Sequence, residues 1–131
     1  MKLRTRLIVF VSAFLITFFY WRVKVFFFVG DDEVPWIREV TGLTIHHFHY
    51  GLIFITIASL LLIFFEINWF SVGLMGIGLS TALDSFISRM MNFSSVRANE
   101  IATYNNSFIF TLIFFLDVIL LAVIFYLIRE R

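Results

Sequence analysis

All three histidines of this 131-residue chain fall in one stretch, Thr44-Ile-His-His-Phe-His-Tyr-Gly51, as His46, His47 and His49. A neutral imidazole is a ready metal ligand, and two of them with one carboxylate make a common metal-binding set. The carboxylate expected to complete it is Asp84. His46, His49 and Asp84 would leave an open position for water or substrate, an arrangement that suits a divalent metal such as zinc or non-haem iron. His47 is the next candidate ligand. On an ideal helix His46 and His49 are about 60° apart, whereas His47 and His49 are about 160° apart. If the stretch is still extended before Gly51, a period of two pairs His47 with His49 instead. The spacing leaves both pairings open. A bis-His haem fits less well, because no histidine faces these from another segment.

The elements that must position these groups are read from hydropathy. Hydrophobic residues make up 61% of the chain and charged residues 15%, with 19 Phe, 1 Pro and no Cys. A soluble domain has too little apolar interior to absorb such an excess, so lipid is the expected solvent. The absence of Cys excludes disulfides and thiolate metal sites. A formal net charge of +1 gives no global electrostatic case for nucleic acid.

Four apolar segments follow, over 7–28, 44–65, 70–90 and 107–128. Each is about 20 residues, enough for a hydrocarbon core of roughly 30 Å. The expected fold is therefore all-α: one membrane domain of four transmembrane helices in an antiparallel bundle. Lys2, Arg4 and Arg6 before the first segment resemble a signal-peptide n-region, but no small-x-small cleavage site follows. An uncleaved first helix is the expectation, with Arg22 and Lys24 snorkelling at its far end. Between the first and second spans, Asp31-Asp32-Glu33 followed by Pro35 reads as a helix start, and Gly42 as a stop. This predicts a short interfacial helix with Trp36 at headgroup level. Glu66 to Trp69 reads as a tight turn, and Asn105 and Asn106 as caps of the fourth span. The flanking cations divide evenly between Lys2, Arg4, Arg6, Arg129, Arg131 and Arg22, Lys24, Arg38, Arg89, Arg97. The more basic leading flank of the first helix places both termini in the cytoplasm.

In four antiparallel spans, the start of the second and the end of the third lie on one side. Asp84 stands six residues before Met90, about 9 Å below that surface, near the level of the histidines. Gly76, Ser80, Asp84 and Ser88 recur every four residues, with Gly73, Thr81 and Ser85 beside them. Small and hydroxyl residues on one face favour close packing and hydrogen bonds across it, so Asp84 is expected to face protein. Asp117 lies mid-span in the fourth segment. It is expected to pair with the third-span stripe, to meet a partner subunit's polar group, or to relay a proton.

The His-His-x-His-x-Gly stretch, followed by a Gly-rich segment ending Leu-Ser-Thr-Ala-Leu-Asp84, resembles a group of small prokaryotic integral membrane proteins without an assigned activity. The resemblance covers roughly residues 44–86. It implies that His46, His47, His49, Gly51 and Asp84 belong together, and it carries no reaction. The His boxes of membrane desaturases and hydroxylases are similar in type, but those enzymes use many more histidines than three.

Three functional expectations follow. One is a metal-dependent membrane hydrolase, with His47 or Tyr50 as proton donor and the metal polarising a carbonyl or phosphoryl oxygen. Another is a small accessory subunit of a larger membrane complex or a homo-oligomer, motivated by the absence of a soluble domain and by Asp117. The third is a proton or ion transport element built on Asp84, Asp117 and the histidines. No nucleotide-binding loop, nucleophile elbow or His-Glu-x-x-His motif is present.

Overall fold

The computed structural model describes residues 1–27, 47–90 and 107–130. The interfacial helix expected near Pro35, the Asn105–Asn106 cap and His46 lie outside the described residues. Among the described residues the protein is all-α, with α1 Leu3–Phe27, α2 His47–Phe64, α3 Trp69–Met90 and α4 Phe108–Glu130. Three of these contain stretches long and apolar enough to cross a membrane: Leu3–Lys24, Trp69–Ile87 and Phe108–Glu130. The apolar part of α2, Phe48–Phe64, is shorter.

Local chemistry sets the α2–α3 boundary. The Phe65 amide closes the last turn of α2 on the Leu61 carbonyl. Asn68 then caps α3. Its Oδ1 accepts from the Ser71 amide at 2.9 Å, and Ser71 Oγ accepts from the Asn68 amide at 3.3 Å. This reciprocal pair has the logic of a capping box, with Ser in place of the usual Glu or Gln. The tight turn expected over Glu66 to Trp69 is therefore where the chain reverses.

α3 is the central helix and packs most extensively against α2 and α1. Numbers climb together along α1 and α3: Val9 meets Gly73, Phe10 meets Gly76, Trp21 meets Thr81 and Arg22 meets Asp84. They run in opposite senses between α2 and α3, where Phe48 meets Phe86, Gly51 meets Ala82 and Ile55 meets Gly78. The same holds between α1 and α4, where Arg22 meets Thr111, and Phe14 meets Phe115.

Glycine makes the α2–α3 contact possible. A Cβ on Gly51 would lie 2.5 Å from the Ala82 nitrogen, and one on Gly78 would lie 2.8 Å from the Ile55 nitrogen. Backbone thus meets backbone on both sides, the close approach that small residues permit. The α1–α4 contact is built differently, from large aromatic rings. The Phe115 ring lies 4.4 Å, centroid to centroid, from both Phe14 and Phe18. Phe10, Leu79, Leu83 and Leu112 pack around these three buried rings.

The interior is more polar than the surface. Among the described residues the buried set holds eight polar or charged residues, including Ser80, Thr81, Asp84, Ser85 and Thr111, against seven hydrophobic ones. Outside lie large apolar side chains such as Ile63, Phe64, Trp69, Phe114 and Phe125. Water would penalise that surface, and a hydrocarbon solvent would not.

Candidate functional site

The strongest polar constellation among the described residues lies where α1, α3 and α4 meet, and it is centred on Arg22. This residue stands five positions before the end of α1, and Asp84 stands six before the end of α3. Because the two helices run in step, the residues come to one level. Arg22 Nη2 lies 2.7 Å from Asp84 Oδ1, and Nε donates to the same oxygen at 2.8 Å. Nη2 also donates to Thr111 Oγ1 at 2.9 Å, which ties in the first turn of α4. The Thr111 hydroxyl in turn donates a hydrogen bond to the Ser107 carbonyl at 2.9 Å.

Burial makes this pair consequential. The Asp84 side chain is fully buried and that of Arg22 is 9% exposed. The guanidinium carbon lies 5.5 Å from the Phe18 ring centroid and 5.7 Å from that of Phe108, so aromatic faces border the cation. A buried ion pair is favourable only with good geometry and further hydrogen bonds. Thr111 and the two donors on Oδ1 supply them. A second bond runs parallel to it: Trp21 Nε1 donates to Thr81 Oγ1 at 3.0 Å, and Thr81 donates to the Ile77 carbonyl at 2.8 Å. Lys24 Nζ stands 4.7 Å from the Trp21 ring centroid.

Arg22 therefore departs from the expectation that it snorkels to an interface. It turns inward because an acid waits at its own level. The signal was present in the sequence: two residues of opposite charge, each about 7.5–9 Å from the end of its helix, on segments expected to share a direction.

The histidine expectation meets this arrangement as follows. His47 opens α2, and its side chain lies outside the described residues, as does that of Ser88. His49 is exposed and Tyr50 half-buried. The Phe48–Phe86 contact brings the start of α2 close to the level of Asp84. Depth alone does not bring groups together, however. Ala82, which receives Gly51 of α2, is about 160° around the α3 axis from Asp84. α2 thus occupies one flank of α3, and the carboxylate serves the other. Among the described residues no group of three or more His, Asp or Glu is placed to hold a metal ion. A metal set that included Asp84 would have to draw that carboxylate away from a guanidinium already giving it two N–H donors.

Gly51, which the resemblance grouped with the histidines, has a packing role. The stripe on α3 is interior: Ser80, Thr81, Asp84 and Ser85 are all buried. Ser80 Oγ has no hydrogen-bond partner among the described residues. Asp117 differs from Asp84. It lies on the exposed side of α4, and among the described residues no hydrogen bond or ion pair reaches it.

No protein-family model, curated protein or solved structure matches this chain.

Proposed function

We propose that this chain is an integral membrane protein of four antiparallel spans, and that it works as an accessory subunit which joins a larger membrane assembly laterally through α4. The residue pairings between helices, alternating in sense, support the topology. The apolar exterior around a polar interior supports the solvent. With an even number of spans, both termini share one side. The cluster of Lys2, Arg4 and Arg6 favours the cytoplasm for it.

The observation that carries the assembly role is Asp117. An ionisable group in a span generally faces a bundle interior, a water-filled cavity or a partner. Asp117 faces outward from a helix whose only buried residues are Thr111 and Phe115. Such a helix has most of its surface left for another chain.

Cross-linking in native membranes, followed by purification in mild detergent, tests this. A fixed partner at constant stoichiometry is expected. A lone chain of monomer size, cross-linked to nothing, would overturn it.

A further inference from the structure

Asp117 stands nine residues after Phe108 and thirteen before Glu130, about 14 and 20 Å from the two ends of α4. Its neighbours one turn to either side are Ile113, Phe114, Leu120 and Leu121, all more than half exposed. Together they form a continuous apolar face with one carboxylate at its centre. In hydrocarbon a carboxylate needs a counter-charge or a hydrogen-bond donor.

A second copy of this chain is poorly equipped to provide a cation. Among the described residues the guanidinium nearest that depth is Arg22, which is held by Asp84 and Thr111. It also lies at the level of Thr111, six residues and about 9 Å from Asp117 along α4. The other described cations, Lys2, Arg4, Arg6, Lys24 and Arg129, stand close to helix ends, as does position 89 of α3. Two α4 faces packed on each other would oppose like charges.

We propose that the Ile113–Phe114–Asp117–Leu120–Leu121 face of α4 docks a transmembrane helix of a different chain, one that carries Arg or Lys at mid-bilayer depth. Charge complementarity specifies the occupant. The apolar residues supply the packing surface, and Asp117 supplies the register. This inference rests on the reading of the chain as a membrane subunit, and it adds the chemistry of the partner.

The test uses the full chain in phosphatidylcholine vesicles with synthetic leucine-rich helices of about 20 residues that differ only at the central position, Arg or Leu. Energy transfer between labels reads association. The Arg helix should bind at least about tenfold more tightly than the Leu helix. Asp117→Leu should abolish that preference and Asp117→Asn should reduce it, with helix content by circular dichroism unchanged. Ile53→Asp in the Asp117→Leu background places a carboxylate on the exposed side of α2. Ile53 lies near the same depth: Gly51 pairs with Ala82 and Ile55 with Gly78, so it is level with Ser80, about 6 Å along α3 from Asp84, while Asp117 is about 9 Å along α4 from Thr111, in the same direction. It should not restore the preference. Equal binding of the two helices, full restoration by Ile53→Asp, or Asp117-dependent pairing of this chain with itself would each overturn the proposal. Failure of the native cross-linking experiment would overturn the subunit reading itself. A native partner without a mid-depth cation would overturn only this inference.

Discussion

Asp84 and Asp117 sit in apolar helices of nearly equal length, 22 and 23 residues. Half of the most apolar stretch of α3 is buried, and 11% of that of α4. Asp84 lies in the buried seam, held by two N–H donors from one guanidinium. Asp117 lies on the open side, bordered by Ile, Phe and Leu. The comparison teaches that an acid within an apolar helix has no fixed meaning. Its role depends on which flank of its helix it occupies and on whether a cation shares its depth. Asp84 closes the bundle from within, whereas Asp117 has no counter-charge among the described residues, and the proposed docking rests on that difference.

Substitutions can break or sharpen this contrast. The largest effect is expected from Asp84→Leu. It strands the Arg22 guanidinium without its counter-charge and should cost about 3–5 kcal/mol, read as a lower unfolding midpoint in detergent. Gly51→Val should follow, at about 1–3 kcal/mol. Its side chain must enter the space of the Ala82 backbone and push α2 from α3, which a cross-link between cysteines placed at Phe48 and Phe86 would report. Thr81→Val removes the acceptor for the Trp21 indole and should cost about 0.6 kcal/mol, with a shift in Trp emission. Asp117→Leu should change the stability of the isolated chain least, within about 0.5 kcal/mol, because nothing described inside the bundle depends on it. A large loss of monomer stability in that variant would erase the distinction between the two acids.

Much of the architecture was legible beforehand from the apolar pattern. Segment lengths, the Glu66–Trp69 reversal and the burial of the Gly76–Ser80–Asp84 stripe all follow from apolar runs and small-residue spacing. The partner of Asp84 did not follow. Counting from the helix ends gives depth and leaves the angle around α3 open. Ala82 and Asp84 stand two residues apart and face nearly opposite flanks of α3, so α2, which packs on Ala82, lies on a different flank from the acid. Arg22 was assigned to the interface from its place near a segment end. A cation there can snorkel or turn inward, and the choice depends on an acid 62 residues later in the chain. The meaning of Gly51 was likewise tertiary, since its neighbour is the backbone of another helix.

The most direct measurement is a double-mutant cycle on Arg22→Met and Asp84→Leu in the full chain, read by unfolding in detergent. The single changes should each be costly. The double variant should recover part of the loss, giving a coupling of about 1–3 kcal/mol. Additive losses with no coupling would mean that the two residues do not hold each other, and that Asp84 serves some other group.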